Sequence, residues 1–101
     1  MYGPVAAAKA ALESYVRQLG RELAPRRITV NAIMAGVTQT PALEKIPGAD
    51  ALISKALAKN PNGRLTQPHD VAEAIAELSR SGTHWLNCNV IRIDGGESSS
   101  A

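Results

Sequence analysis

Apolar side chains recur at helical spacing along the first quarter of the chain. From Pro4 to about Ala24 the residues are almost uniformly helix-forming, and the larger apolar ones stand three, four or seven positions apart. These larger residues are Val5, Leu12, Val16, Leu19 and Leu23. Proline suits the first position of a helix, whereas Pro25 cannot continue one. The pattern predicts a helix with an alanine-rich face that can approach another element closely.

Two short apolar runs later in the chain have the character of strands. Residues 28–34 have the sequence Ile-Thr-Val-Asn-Ala-Ile-Met, and such a β-branched run is typical of a parallel strand buried on both faces. Residues 89–94 form a second candidate strand, which Gly95 and Gly96 close. Between the runs, residues 42–59 predict one or two short helices and residues 68–78 an amphipathic helix. Alternating helices and strands place the chain in the α/β class.

Composition restricts the classes of function. The 101 residues make one domain at most. A net charge of +2 without a basic run does not indicate a nucleic-acid-binding surface. The single cysteine, Cys88, excludes an intrachain disulfide and a zinc site, which indicates a reducing compartment. No apolar run approaches the ~20 residues of a membrane span, and the N-terminus has no signal-peptide pattern. We expect a cytoplasmic protein without a metal centre.

Tyr2 and Lys9 form a candidate acid–base pair. Their separation of seven positions would place them on nearly the same side of a helix, although Pro4 indicates that Tyr2 lies just before it. A phenol titrates near ~10, and a neighbouring ammonium favours its ionised form, which tunes it for proton transfer. The alternative, which we favour for any Tyr and Lys at this spacing, is a packing aromatic and a solvated helix charge.

Residues 35–40 form a candidate ligand loop at the carboxyl end of the first strand. Gly36 lets backbone approach a ligand, hydroxyls with N–H groups bind phosphate or amide groups, and ligands of open parallel sheets bind at this edge. An ordinary strand-to-helix turn with Thr40 as the helix cap explains the residues equally well. We expect Cys88 to be a buried structural thiol, and His69 and His84 to be surface residues.

Seven short segments between Tyr2 and Gly96 combine into one pattern. They are Tyr2-x6-Lys9-Ala-Ala-Leu-Glu13, Glu22-Leu-Ala, Ile28-Thr-Val-Asn-Ala-Ile33, Ala35-Gly36 with Thr40, Gly63-Arg-Leu, Asp70-Val-Ala and Asp94-Gly-Gly96. The pattern resembles the C-terminal half of a short-chain dehydrogenase/reductase. Most members separate the catalytic Tyr and Lys by four positions, where this chain has Val5, whereas the x6 spacing resembles enoyl-[acyl-carrier-protein] reductases. Ala35-Gly36, where other members often have Pro-Gly, points the same way.

The resemblance implies a Rossmann-like doubly wound parallel sheet of which this chain holds the C-terminal part. The N-terminal half of that sheet is absent from this sequence, since no G-x-G-x-x-G turn follows a first strand and no acidic residue follows a second. Residues 1–96 would then be part of one domain and residues 97–101 a flexible tail. Two parallel strands cannot cover themselves and would expose edges and apolar faces. We expect a fragment that is inactive alone.

The resemblance also implies a nicotinamide-dependent reduction of an acyl thioester. Tyr2 would relay a proton or stabilise an enolate, and Lys9 would bind the nicotinamide ribose and hold positive charge near Tyr2. The cofactor, NAD or NADP, would be bound by Lys9, Ala35, Gly36, Thr38 and Thr40. The acyl group could be carried on an acyl carrier protein, residues 43–59 would cover the substrate, and the full-length protein would be a homo-oligomer.

Two other functions stay open. One is a 3-oxoacyl or other carbonyl reductase of the same superfamily, from which only the Tyr–Lys spacing distinguishes the enoyl enzymes. The other is a non-catalytic partial chain that packs on an intact homologue through its alanine-rich helix and last strand. The run Leu86-Asn-Cys-Asn89 departs from the family's usual Thr-Gly-Gln before the last strand. The resemblance therefore does not extend to the conformation of this turn or to its contact with another subunit.

Overall fold

Four α-helices and two β-strands alternate along residues 3–99, the part of the chain that this computed structural model describes. In chain order they are α1 (Gly3–Leu23), β1 (Ala32–Ala35), α2 (Pro41–Glu44), α3 (Ala49–Lys59), α4 (Pro68–Leu78) and β2 (Val90–Ile93). β1 and β2 pair in one sheet. The Ala32 N–H bonds to Asn89 O at 2.9 Å and the Gly36 N–H to Ile93 O at 3.2 Å, so the strands run parallel. The α/β class is confirmed.

The described residues divide into two units. The first contains the residues up to Ile33 together with Arg80–Ile91. The second contains Met34–Ser79 together with the residues from Arg92 onward. β1 and β2 each begin in the first unit and end in the second.

The alanine-rich segment forms α1, as its pattern predicts. Alanine and leucine lose little conformational freedom in a helix, and Pro4 stands in the first turn, where an N–H has no helical partner. The helix ends at Leu23, and a short 3₁₀ turn over Ala24–Arg26 contains Pro25. Arg27 then adopts the left-handed conformation (φ 61°), and its N–H bonds to Ala24 O at 2.9 Å. Within residues 3–99 no helix is long and apolar enough to cross a membrane.

Gly20 lets α1 contact the turn before β2 within the first unit. The Asn87 side-chain amide donates to Gly20 O at 2.9 Å, and its oxygen accepts from the Val30 N–H, also at 2.9 Å. A Cβ at Gly20 would lie 2.7 Å from Asn87 Oδ1 and would also meet the Cys88 sulfur. Asn87 therefore ties the helix to the segment that leads into β1.

β1 is shorter than the predicted strand over residues 28–34. Side chains take part in the pairing at its start, because the Val30 N–H bonds to Asn87 Oδ1 at 2.9 Å while Val30 O accepts from the Cys88 N–H at 2.9 Å. Asn31 Oδ1 accepts from the Asn89 N–H at 3.1 Å, and Asn31 Nδ2 donates to Leu86 O at 3.0 Å. The regular strand therefore begins only after these asparagine contacts, at Ala32.

The run over residues 28–34 is not buried on both faces. Met34 in β1 remains 43% exposed, in agreement with the expectation that two strands alone expose their apolar faces, and Ile28, which precedes β1, is 44% exposed. The expectation of a buried Cys88 is wrong. Cys88 is only half-buried; it adopts a left-handed conformation (φ 63°), and its thiol donates to Arg17 O at 3.5 Å. Glycine adopts that conformation readily, whereas a cysteine does so only with strain.

The interior of the second unit is a small apolar cluster. Leu43, Ala56 and Leu65 are buried in it, and Val37 and Ile53 pack against them partly exposed. The predicted break between two helices lies at the Pro47-Gly48 pair, where Gly48 has φ 80° and precedes α3. The helical prediction for residues 42–59 is therefore confirmed as two helices.

Large apolar side chains remain exposed in both units. None of the described side chains is below 2% exposure, whereas Val5, Leu12 and Tyr15 on α1 are about half-exposed and Trp85 is 89% exposed. The accessible surface of 7591 Å² is about 2,000 Å² more than the ~5,500 Å² of a typical folded protein of this mass. Hydrophobic burial within this chain is therefore incomplete.

We expect the isolated chain to unfold with weak cooperativity, because little apolar surface leaves water when it folds. A hydrophobic dye should bind the native chain, and the near-UV circular dichroism should be weak because Trp85 is exposed. Far-UV and near-UV signals followed through urea unfolding should separate. Coincident, sharp transitions of a monomer or dimer would contradict this expectation.

Candidate functional site

The predicted site residues are distributed over both units. Lys9 is an exposed residue of α1 in the first unit. Tyr2 lies outside the described residues. The remaining members belong to the second unit: Ala35, Gly36, Thr38 and Thr40. The structure therefore gives the geometry of the candidate ligand loop, while the pairing of Tyr2 with Lys9 stays a prediction.

The candidate loop is held along one side by the segment before α4. The Gln39 N–H bonds to Thr66 O at 2.9 Å, and Thr38 and Thr66 form an isolated parallel bridge. The Gln67 side-chain amide donates to Gln39 Oε1 at 3.0 Å. Within the loop, Thr38 Oγ1 donates to Gly36 O at 2.8 Å. These bonds fix the backbone whose groups would contact a ligand.

Gly36 packs closely against the rest of the second unit. A Cβ at this position would lie 2.7 Å from Thr66 Oγ1, 3.0 Å from Asp94 Cβ and 3.2 Å from Glu97 Oε1. Glycine was predicted here because it lets a ligand approach the backbone. The structure adds a second reason, since protein atoms already occupy the space that a side chain would need.

Thr40 caps α2, as the alternative interpretation of the loop predicts. Its Oγ1 accepts a hydrogen bond from the Leu43 N–H at 3.3 Å, and Pro41 follows at the first helical position. A hydroxyl also carries one donor hydrogen, so the capping bond leaves Thr40 able to donate to a phosphate or amide oxygen. Thr40 is half-buried, whereas Ala35 is exposed.

Arg64 and Asp70 form a bidentate ion pair next to the segment before α4 that holds the candidate loop. Arg64 Nη1 lies 2.7 Å from Asp70 Oδ2, and Nη2 lies 3.0 Å from Oδ1. Asp70 also accepts from the Gln67 N–H at 2.8 Å, which stabilises the start of α4. These hydrogen bonds, that from Arg64 first, hold the pKa of Asp70 well below its usual range, and the same pairing raises the pKa of Arg64. Neither residue was predicted to belong to a functional site.

Asp94 organises the turn after β2. Its carboxylate accepts from Ser98 Oγ at 2.5 Å, from the Gly96 N–H at 2.9 Å and from the Ser98 N–H at 3.1 Å. The Ser98 hydroxyl and then the Gly96 N–H lower the pKa of Asp94. Gly95 and Gly96 both have positive φ, 62° and 92°, which only glycine adopts without strain.

A polar cavity of about 220 Å³ adjoins this turn within the second unit. Its lining residues are Asn60, Asn62, Arg64, Thr66, Asp70, Ile93, Asp94 and Gly95. Much of their hydrogen-bonding capacity is used internally, since Asn60 donates to Asp94 O at 3.1 Å and Asn62 to Gly95 O at 2.7 Å. Among residues 3–99 no group of three His, Cys, Asp or Glu side chains could hold a metal ion.

Known proteins share this arrangement of elements. A family profile described as Enoyl-(Acyl carrier protein) reductase matches residues 1–98. The chain belongs to the short-chain dehydrogenase/reductase superfamily. A solved enoyl-[acyl-carrier-protein] reductase (NADH) from Aquifex aeolicus VF5 superposes with a TM-score of 0.86 at 31% identity and covers 99% of this chain. The Rossmann-like fold expected from the resemblance is confirmed.

Curated members of the superfamily match at similar identity. The 3-oxoacyl-[acyl-carrier-protein] reductase FabG of Thermotoga maritima is 37% identical over 91 residues, and that of Pseudomonas aeruginosa is 35% identical over 91 residues. Each alignment covers 90% of this chain and 36% of the relative. The Aquifex match covers 39% of that reductase. This chain thus spans little more than a third of the length of these relatives.

Gly36→Ala should loosen the candidate loop and lower stability by about 1–3 kcal/mol, because the new methyl group overlaps Thr66 and Asp94. Amide exchange at Gln39, whose N–H bonds to Thr66, should accelerate. Gly82→Ala is the matched control, since a Cβ there meets no atom within 4 Å. Equal exchange rates and equal urea midpoints in the two variants would refute the packing role of Gly36.

Acid should destabilise the second unit through Asp70 and Asp94. Both folded-state pKa values lie below the unfolded value of about 3.9, so their stabilisation is complete above that pH and is lost as the pH falls through the folded values. Asp70→Asn should lower stability at pH 6 and flatten its decline below about pH 4. Asp50→Asn, at an exposed position of α3, serves as the control. An unchanged acid profile in Asp70→Asn, measured by helical circular dichroism, would count against this assignment.

Proposed function

We propose that this chain forms the nicotinamide-facing part of an NAD(P)-dependent reductase of enoyl thioesters. The observation that carries the proposal is the Tyr2-x6-Lys9 spacing, which resembles the enoyl enzymes and not the more common short-chain reductases. Similarity to the Aquifex aeolicus enoyl reductase over 99% of the chain supports it. By the same comparison, we propose an acyl carrier protein as the carrier of the substrate and a homo-oligomer as the working assembly.

Tyr2 and Lys9 would perform the proton and charge chemistry. A bound reduced nicotinamide would supply hydride to the β-carbon of the unsaturated thioester, so negative charge would develop on the thioester oxygen until a proton adds to the α-carbon. The Tyr2 phenol would donate a hydrogen bond to that oxygen and stabilise the enolate. The Lys9 ammonium, which α1 presents at its exposed surface, would bind the ribose hydroxyls and favour ionisation of the phenol.

The loop after β1 supplies groups that fit a nicotinamide and its attached phosphates. Ala35 and Gly36 present backbone at the carboxyl end of a parallel strand, where ligands of such sheets bind. Thr38 is held by its bond to Gly36 O, so we assign it a backbone contact with the ring. Thr40 retains a hydroxyl hydrogen for the carboxamide or pyrophosphate. The proposal covers both NAD and NADP.

A 3-oxoacyl reductase is the second candidate. The FabG proteins of Thermotoga maritima and Pseudomonas aeruginosa, at 37% and 35% identity, favour it. The same phenol and ammonium would then protonate the oxygen of a reduced ketone. The exposed apolar residues of α1 favour a third candidate, a non-catalytic chain that packs on an intact homologue.

A chimera in which residues 1–98 replace the matching segment of the Aquifex aeolicus reductase tests these candidates. We expect kcat/KM to favour crotonyl over acetoacetyl thioesters. Tyr2→Phe should lower kcat at least about a hundredfold with nearly unchanged cofactor binding. Lys9→Ala should lower kcat and also weaken cofactor binding. Arg21→Ala, an exposed cation further along α1, is the matched control. The chain alone has no G-x-G-x-x-G turn to bind the pyrophosphate, so it should show no saturable turnover and serves as the baseline.

Each alternative has its own outcome. A clear preference for the acetoacetyl thioester would replace the enoyl assignment with the 3-oxoacyl one. A folded chimera that binds cofactor but reduces neither substrate would favour the non-catalytic chain. Wild-type rates in Tyr2→Phe would move the proton role to another residue.

A further inference from the structure

Glu97 is a carboxylate inside the second unit to which the proposed mechanism gives no role. Its Oε2 accepts a hydrogen bond from the Val37 N–H at 3.1 Å, across 60 positions of sequence. Its Oε1 is buried and has no hydrogen-bond partner among the described residues. A carboxylate acceptor gives a stronger bond than a neutral one. The loop after β1 therefore depends on a side chain from the far end of the chain.

The turn after β2 places Glu97 at this position. The Glu97 N–H bonds to Asp94 O at 3.1 Å, and the Asp94 carboxylate holds the Gly96 and Ser98 N–H groups. The left-handed conformations of Gly95 and Gly96 turn the backbone through this point. The side chain of Glu97 is thus presented by a turn that is itself cross-linked by hydrogen bonds.

The bond to Val37 lies between two of the loop residues assigned to the nicotinamide. Gly36 precedes Val37 and Thr38 follows it, and a Cβ on Gly36 would come within 3.2 Å of Glu97 Oε1. The Val37 side chain packs against the cluster of Leu43, Ala56 and Leu65. Glu97 therefore holds the backbone of Val37 while the apolar cluster holds its side chain, and both restrict the motion of this residue.

We propose that Glu97 is a positioning residue for the nicotinamide-binding loop, acting through the Val37 N–H. It sets the orientation of the peptide groups on both sides of Val37 and makes no contact with the cofactor. The cofactor part of this inference rests on the proposed function. The positioning itself rests on the hydrogen bond and on the close packing at Gly36.

Amide exchange in the 101-residue chain tests the positioning. Glu97→Ala should accelerate exchange at Val37 about tenfold or more, while Gln39, whose N–H bonds to Thr66, changes little. Glu97→Gln keeps an acceptor oxygen and should stay within about threefold of the wild type. Glu73→Ala, which removes an exposed carboxylate of α4, controls for charge. Should Glu97→Ala fail to fold, Glu97→Asp shortens the side chain by one methylene and gives the same readout.

Unchanged exchange at Val37 in Glu97→Ala would overturn the proposal, as would equal acceleration at Val37 and Gln39. Reduced nicotinamide mononucleotide, titrated into the same samples, addresses the cofactor part. It should shift the Gly36 and Thr38 amides in the wild type and in Glu97→Gln, with weaker binding in Glu97→Ala. An absence of shifts in the wild type would refute the proposed cofactor contact, whereas the exchange rates at Val37 would still decide the positioning role.

Discussion

Hydrogen bonds from the turn after β2 hold the loop that follows β1. The backbone ladder ends with the Gly36 N–H on Ile93 O, and beyond it the Glu97 carboxylate takes the next N–H, that of Val37. A two-stranded sheet offers few backbone partners, so side chains must satisfy the groups that neighbouring strands would otherwise pair. The shape of the candidate loop follows from this substitution.

Asparagine side chains perform the same function in the first unit. Asn87 joins Gly20 to Val30, and Asn31 bonds to the backbone at Leu86 and Asn89. An amide side chain carries both donors and an acceptor, so one residue can pair groups from two segments. Polar contacts between segments distant in sequence therefore hold each unit together alongside its apolar burial.

The helices were predictable because their signals are local. Pro4 and Pro25 bound α1, and the segment from Pro68 to Leu78 has the same limits in the sequence and in the structure. The start of β1 was not predictable from the sequence. It depends on hydrogen bonds that the side chains of Asn31 and Asn87 make with residues more than fifty positions away. The family pattern singled out the loop residues, whereas Glu97 was assigned to a flexible tail because no local rule connects it to Val37.

The two parts of the proposed chemistry are supported to different degrees. The loop that would bind the nicotinamide is fixed inside the second unit by Thr66, Glu97 and the apolar cluster. Lys9 stands on the first half of α1, where every residue from Gly3 to Leu12 is exposed. Most of the stability of a helix in a protein comes from packing of its apolar face rather than from helix propensity. The loop's contacts with the nicotinamide can therefore be organised by residues of the second unit alone, whereas the proposed ribose contact and proton chemistry of Lys9 depend on α1 in the first unit.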